Sequence, residues 1–135
     1  MKERVVITGM GVVAPNGVGL AAFTNAIKKG ISGISFHQNL KDLDFSCCIG
    51  GIPNISEEKK GAYFTPLQLR GFNSSGILYG CMAGMDAWKD AGFLVDGDSE
   101  LDYDSGTIFG TGTSGVEKFR EAIYKLDNKE VKRLG

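Results

Sequence analysis

The residues with the clearest chemical meaning form a glycine-rich turn, Gly110-Thr-Gly-Thr-Ser-Gly115, between a short apolar run and an amphipathic segment. Its Gly-x-Gly-x-x-Gly spacing matches the fingerprint with which a strand-to-helix turn holds the pyrophosphate of a dinucleotide. Such a site also needs an acidic residue at the end of a second strand about 20 residues further on. The stretch 127–135 is polar and basic and has no strand pattern. Nucleotide binding is therefore an alternative for this turn and not its favoured interpretation.

The thiols are the next candidates, since the chain has 3 cysteines, Cys47, Cys48 and Cys81, and 1 histidine, His37. A reactive thiolate needs a helix N-terminus, a cation or a histidine beside it. Cys47 and Cys48 lie in a predicted strand, and Cys81 lies in the middle of a predicted helix on its apolar face, where burial favours the neutral thiol. His37 lies in a loop-like region, and the serine motif Gly-x-Ser-x-Gly does not occur. We therefore predict no catalytic residue in this sequence.

Metal ligands are sparse as well. A zinc site needs about four nitrogen or sulfur ligands at usable spacing, and the sequence has no Cys-x-x-Cys and no cluster of cysteine and histidine. One polar stretch resembles the first part of a calcium loop, with carboxylates at every second position: Asp96, Asp98, Glu100, Asp102 and Asp104. It lacks the closing glutamate and the helix–loop–helix frame of such a loop. We interpret it as a solvated turn, and we expect neither a metal nor a cofactor.

The bulk properties bound the class of protein. A chain of 135 residues fits one domain, 1–135, without an internal boundary. The formal net charge of -1 gives no electrostatic basis for binding nucleic acid or an anionic membrane, and the basic stretch 129–133 is expected to be a solvated helix end. No apolar run is long enough to span a membrane, and the first apolar run is too short for a signal peptide. With an odd number of thiols, these features predict a cytoplasmic protein.

The elements that must position these residues alternate between strands and helices. Short apolar runs ended by glycine predict buried strands, and apolar stripes at helical spacing predict helices. The strands are predicted at 4–8 and 107–109, with a weaker one in 45–52, and the main helices at 20–29, 73–91 and 116–126, with short helices beginning near 56 and 65. This order predicts an α/β fold with a largely parallel sheet.

The helix predicted at 73–91 has an unusual surface. Gly76, Gly80 and Gly84 repeat every four residues, although each glycine costs a helix about 1 kcal/mol. Three glycines in register predict that another element packs closely against this ridge. A neighbouring face is apolar and is predicted to be buried, through Ile77, Cys81, Met85 and Trp88.

Four segments together resemble the β-ketoacyl-acyl carrier protein synthases of the elongating (KAS I/II) type. They are the opening strand and glycine turn Arg4-Val-Val-Ile-Thr-Gly-Met-Gly-Val-Val-Ala-Pro-Asn-Gly17, the segment Ile27-Lys-Lys-Gly-Ile-Ser-Gly-Ile34, the helix Tyr79-Gly-Cys-Met-Ala-Gly-Met-Asp-Ala-Trp-Lys-Asp-Ala-Gly92, and the turn Gly106-Thr-Ile-Phe-Gly-Thr-Gly-Thr-Ser-Gly115. They occur in the family's order and spacing over nearly the whole chain. The resemblance implies the N-terminal part of a layered α-β-α, thiolase-like fold, incomplete over these residues.

The resemblance also carries expectations about function. Members of the family are longer chains that join an acyl thioester, held on a cysteine, to malonyl-acyl carrier protein with loss of carbon dioxide. Their cysteine lies in a Thr-Ala-Cys-type motif that this sequence lacks, and their two histidines and lysine lie further on, so no catalytic residue is carried over. The resemblance assigns a role to Thr113 alone. It corresponds to the family's residue near the acyl pocket, which is usually glycine or an apolar side chain. The resemblance leaves open the pathway, fatty acid or polyketide-like, and the acyl chain length.

Three hypotheses follow. The first is a synthase portion that is inactive alone and exposes apolar surface, which it covers by self-association, while acyl carrier protein and acyl and malonyl thioesters are partners of the longer family members. The second is an autonomous, non-catalytic interaction module. The third is a nucleotide-binding domain that uses Gly110, Gly112 and Gly115. We favour the first, because four motifs in register are more specific than a single glycine fingerprint.

Overall fold

A computed structural model of the chain describes residues 4–93, 103–130 and 132. The described elements mix helices with short strands, consistent with an α/β protein. In chain order they are β1 Val13–Ala14, β2 Gly17–Val18, α1 Leu20–Lys28, β3 Ser35–Phe36, α2 Gln38–Asp42, β4 Ile49–Gly50, α3 Glu57–Gly61, α4 Pro66–Gly71, α5 Ser75–Asp90 and α6 Val116–Asp127.

The predicted helices are confirmed, and their ends follow from local chemistry. The side chain of Ser74 accepts a hydrogen bond from the backbone N–H of Gly76 at the start of α5. Ser56 caps α3 in the same way, and Thr65 with Gln68 forms a capping box on α4. Each cap satisfies a backbone N–H that has no partner inside its helix.

Among the described residues, the strands form two small antiparallel ladders. In the first, Val13 pairs with Val18 across a turn at Pro15 and Asn16. In the second, Phe36 pairs with Ile49, so the weak strand expected in 45–52 is present but covers only Ile49–Gly50.

Two strand predictions are wrong for the described residues, and with them the parallel sheet. Segments 4–8 and 107–109 belong to no ladder, and their side chains face solvent, with Val5 94% and Ile108 102% exposed. A strand is stable only when a neighbouring backbone accepts and donates its hydrogen bonds. Both segments are apolar, as strands often are, but the described residues include no neighbouring strand that pairs with them.

The N-terminal segment crosses α5 at very close range. A Cβ atom on Gly9 or Gly11 would collide with the backbone of α5 at Ala87 or Ala83. The backbone N–H of Met10, between the two glycines, donates to Oδ2 of Asp90 at 2.9 Å. This contact uses the alanine face of α5, so the prediction that the glycine ridge would provide the close contact is only partly met. On the ridge, Phe109 covers Gly80.

The buried core is small, and it lies on a different face of α5 from the predicted one. Among the described apolar residues, Met82 is 0%, Leu78 9% and Ala26 4% exposed. The predicted face is more open, since Ile77 is 44% exposed and Cys81 is also exposed. The accessible surface is 11260 Å², against about 6,800 Å² for a folded monomer of this mass. The chain therefore leaves much of its apolar surface uncovered.

Candidate functional site: the glycine turn and the groove beside it

The glycine turn, residues 110–115, is attached to α5 at both of its ends. Before the turn, the ring of Phe109 lies on Gly80, where a Cβ atom would overlap it. After the turn, Oγ of Ser114 lies 3.3 Å from Oγ of Ser74, a side chain that is only 6% exposed. Gly115 then begins α6 with φ of 77°, a left-handed conformation that glycine adopts readily.

Glu117, in the first turn of α6, adds a further contact at the start of α5, next to the one between Ser114 and Ser74. Its Oε1 accepts hydrogen bonds from the backbone N–H of Ser75 at 2.9 Å and from the Ser75 hydroxyl at 3.0 Å. These donors, the backbone N–H first, hold the pKa of the Glu117 carboxyl below its ordinary value. The N-terminus of α5 thus receives one acceptor from its own cap and one from α6, and both complement the helix dipole.

Thr113 lies between these attachments, on the exposed side of the turn. A Cβ atom on Gly110 or Gly112 would meet nothing within 4 Å, so the middle of the turn has open space around it. The structure therefore presents Thr113 at the surface.

The nucleotide hypothesis requires a free, positive helix end below this turn. Here the carboxylate of Glu117 lies in the first turn of α6. Its negative charge would repel a pyrophosphate, so this geometry does not favour nucleotide binding at the turn.

An apolar groove of about 490 Å³ lies beside the turn, against α5. Among the described residues its lining has no charged side chain and consists of Phe64, Ile77, Gly80, Cys81, Gly84, Met85, Thr107 and Phe109. Both the glycine ridge and the stripe predicted to be buried contribute to this groove. The expectation that Cys81 is buried is wrong, because no described element packs over this side of α5.

The other thiols and the histidine are engaged separately. Sγ of Cys48 donates to the carbonyl of Phe45 at 3.3 Å, and Sγ of Cys47 lies 3.9 Å from the carbonyl of Ile49. Nε2 of His37 lies 3.2 Å from the carbonyl of Gly50 and 3.5 Å from Oγ of Ser35. Within the described ranges, no hydrogen bond joins the imidazole to a thiol, so the geometry offers no cysteine–histidine pair.

The described part of the chain contains no cluster of three or more histidine, cysteine, aspartate or glutamate side chains that could hold a metal ion. Residues 96–102 of the acidic stretch, the candidate calcium loop, lie outside the described residues. No described helix is long and apolar enough to cross a membrane.

A polar cluster around Asp86 of α5, on the same helical face as Leu78 and Met82, was missed by sequence reasoning. The hydroxyl of Tyr63 donates to Asp86 at 2.8 Å, and Nζ of Lys89 lies 5.5 Å from the centre of the Tyr63 ring. Partial burial, and then the Asp86 carboxylate, raise the pKa of Tyr63 to about 12. Sequence spacing predicts neither this contact nor the one between Ser75 and Glu117, since the partners are 23 and 42 residues apart.

Comparison with known proteins gives a consistent family. The family model described as "Beta-ketoacyl synthase, N-terminal domain" matches residues 2–134. The chloroplastic 3-oxoacyl-acyl-carrier-protein synthase I of Arabidopsis thaliana is 29% identical over 147 residues, covering 98% of this chain and 28% of the plant protein.

Two bacterial proteins match as well. The 3-oxoacyl-acyl-carrier-protein synthase 1 of Buchnera aphidicola is 33% identical over 89 residues, which cover 66% of this chain and 21% of that protein. Synthase 2 from Vibrio cholerae is 29% identical over 133 residues, 98% of this chain and 31% of that protein. The chain spans less than a third of the length of each of these relatives.

Proposed function

Because the chain belongs to the β-ketoacyl synthase family, as its N-terminal domain, we propose that it forms the N-terminal part of a 3-oxoacyl-acyl carrier protein synthase. The observation that carries this proposal is the match of the family model over residues 2–134, which includes both the glycine turn and the helix to which it is attached. The proposed reaction is a decarboxylative condensation in fatty acid or polyketide-like biosynthesis. Its substrates are an acyl thioester and malonyl-acyl carrier protein, and the carrier protein is the proposed partner.

In this reaction a thiolate takes the acyl group from its carrier, whose thiol leaves. The malonyl thioester then loses carbon dioxide to give an enolate, which attacks the acyl carbonyl and releases the thiolate. We assign none of these steps to residues of this chain. Cys47 and Cys48 face backbone carbonyls, and Cys81 lies in the middle of α5, away from the helix N-terminus that would activate a nucleophile. The chain alone is proposed to be inactive.

The contribution of this chain is instead proposed to be structural. Residues 1–135 would act as one unit, without an internal boundary, that presents the glycine turn and Thr113 beside an acyl chain. A hydroxyl at this position, where an apolar residue or glycine is usual, would make the wall of the pocket more polar. The preferred acyl length would then depend on Thr113.

The layered, thiolase-like architecture is also a proposal. Its support is that segments 9–11 and 109 both lie on α5, while the apolar residues around them, such as Val5 and Ile108, are exposed. Further strands covering these segments would complete a sheet with α5 on one face. This open surface is less consistent with an autonomous module, which would need its own core.

We further propose that the isolated chain associates with itself. The exposed area exceeds that of a typical folded monomer by several thousand square ångströms, whereas a standard stable interface buries about 1,600 Å² in total. The free thiols fit a reducing compartment, and we propose the cytoplasm.

A chimera tests the proposed function. Residues 2–134 would replace the matching region of the Vibrio cholerae synthase, and condensation with malonyl-acyl carrier protein would be measured. The proposal predicts condensation, with a changed preference for acyl length that Thr113→Gly shifts back toward the parent enzyme. The proposal would be contradicted by a folded chimera in which the cysteine of the Vibrio cholerae portion becomes acylated but no condensation product forms.

A further inference from the structure

The glycine turn carries the residue proposed to face the acyl chain, yet its middle makes almost no contact with the rest of the described residues. Open space surrounds Gly110 and Gly112, and Thr113 is exposed. The position of the turn must therefore be set by its two attachments to α5. One is apolar, Phe109 on Gly80, and the other is polar, at Ser74 and Ser75.

The polar attachment is the more directional of the two. The ring of Phe109 is 60% exposed and rests on a residue without a side chain, so it can shift at little cost. Glu117 instead accepts two hydrogen bonds through one oxygen, at 2.9 and 3.0 Å, from a residue 42 positions away. Hydrogen bonds to an ionised carboxylate are about twice as strong as those between neutral groups.

The local sequence fits this arrangement. Gly115 turns the chain at φ of 77°, which brings Glu117 in the first turn of α6 back toward the start of α5. The backbone N–H of Ser75 is one of the N–H groups that have no partner within α5. Glu117 thus acts as a cap supplied by one helix to another, and the turn lies immediately before it in the chain.

We propose that Glu117 is a positioning residue that fixes the glycine turn, and Thr113 within it, on the N-terminus of α5. The functional consequence rests on the proposed function: if Thr113 faces an acyl chain, then Glu117 sets the distance between the two. The contact itself is a property of this chain and is measured without acyl chemistry. The neutral contact between Ser74 and Ser114 is secondary.

The attachment depends on pH. A carboxyl whose folded pKa is lowered stabilises the folded arrangement above its unfolded pKa, and this stabilisation is lost as pH falls through the folded pKa. The charged groups around Glu117 are Lys118 on its own helix and the Lys60–Glu57 pair of α3, which line the same cleft of about 250 Å³. Glu57 is a second carboxyl in this cleft, so it needs its own control.

The experiment is NMR on the ¹⁵N-labelled 135-residue chain. In the wild type, the amide shift of Ser75 and the shifts of 111–114 should titrate together, with a midpoint below the ordinary glutamate value. The order parameters of 111–114 should be near those of rigid backbone, about 0.85. In Glu117→Ala they should fall toward flexible values, below about 0.6, and the Ser75 amide should exchange several-fold faster.

Four further variants separate position from mere stability. Glu117→Gln keeps an acceptor oxygen, so it should retain most of the order of the turn but lose the titration. Ser114→Ala should have a smaller effect than Glu117→Ala. Glu121→Ala, an exposed glutamate on the same helix paired with Lys118 and Lys125, should leave the turn unchanged.

Glu57→Gln should leave the titration in place. If Glu117→Ala retains its helix content, and the order parameters of 111–114 and their pH profile stay as in the wild type, the proposal is overturned. That result would leave the family and the proposed reaction untouched, because neither depends on this contact.

Discussion

Gly11 lies directly against the backbone carbonyl of Ala83 on α5, with no room for a side chain between them. The obstructing atoms belong to the helix backbone, which cannot move aside as a flexible side chain can. Gly11→Ala should therefore lower the free energy of unfolding by about 1–3 kcal/mol, as over-packing usually does. Urea denaturation measures this change.

Gly106→Ala is the matched control, because a Cβ atom there meets nothing within 4 Å and the residue also lies outside a helix. It should leave the stability within about 0.5 kcal/mol of the wild type. Equal effects of the two substitutions would mean that Gly11 does not pack on α5 in solution.

The contact of Phe109 with Gly80 gives a second prediction. Gly80 and Gly84 lie one helical turn apart on α5, so alanine adds the same helix propensity at both, about 0.5–1 kcal/mol. At Gly84 nothing obstructs the new methyl group, whereas at Gly80 it displaces the ring of Phe109. Gly84→Ala should therefore stabilise the chain more than Gly80→Ala.

The two glycine variants also differ spectroscopically. The nuclear Overhauser contacts between the ring of Phe109 and α5 should persist in Gly84→Ala and weaken in Gly80→Ala. If Gly80→Ala and Gly84→Ala stabilise the chain equally and both keep the ring contacts, the ring of Phe109 does not pack on Gly80 in solution.

Much of the helical structure could be predicted from the sequence, because its determinants are local. The apolar stripes at helical spacing in 20–29, 73–91 and 116–126 predict α1, α5 and α6. The strands at 4–8 and 107–109 could not be predicted reliably, since strand pairing depends on partners distant in sequence. For the same reason the apolar stripe through Ile77 and Cys81 is recognisable in the sequence, but the prediction that it is buried is wrong.

The candidate site was predictable only in part. The glycine turn stands out in the sequence by its spacing, whereas Ser75 and Glu117 are ordinary polar residues in two separate helices. Their hydrogen bond depends on how α6 leaves Gly115, and no local pattern encodes the direction of that turn.

The polar cluster on α5 predicts an abnormal tyrosine titration. Spectrophotometric titration should show Tyr63 ionising with a pKa of about 12, above the ordinary value of about 10. Because the folded pKa is the higher one, the stabilising effect is complete below pH of about 10 and is lost as pH rises toward 12. Asp86→Asn should move the pKa of Tyr63 down, since it removes the carboxylate charge.

Tyr124→Phe is the control for this titration, because it removes another tyrosine, 65% exposed, on a different helix. It should leave the late step, assigned to Tyr63, in place. A single step near the ordinary value in the wild type would rule out the contact between Tyr63 and Asp86.

Self-association should depend on the groove beside α5. Ile77 and Met85 line this groove, and Ile77 is 44% exposed. Ile77→Glu places a charge in the groove, which is costly to bury in an apolar interface. Light scattering should show a smaller mean mass for this variant than for the wild type at equal concentration.

Asn25→Glu supplies the same charge on α1, at an exposed position outside the groove. It should leave the mean mass unchanged. A wild type that is monomeric at all concentrations would contradict the proposal of self-association, and equal effects of the two variants would place the contact elsewhere.

The central claim is that this chain carries the framework of a β-ketoacyl synthase but no nucleophile, and intact mass spectrometry tests it most directly. The 135-residue chain is incubated with a long-chain acyl thioester at neutral pH, with a complete synthase as the positive control. The account predicts an unmodified mass for the chain and an acyl adduct on the control. A stoichiometric acyl adduct on the chain, lost in only one of Cys47→Ala, Cys48→Ala or Cys81→Ala, would identify a true nucleophile and contradict the account.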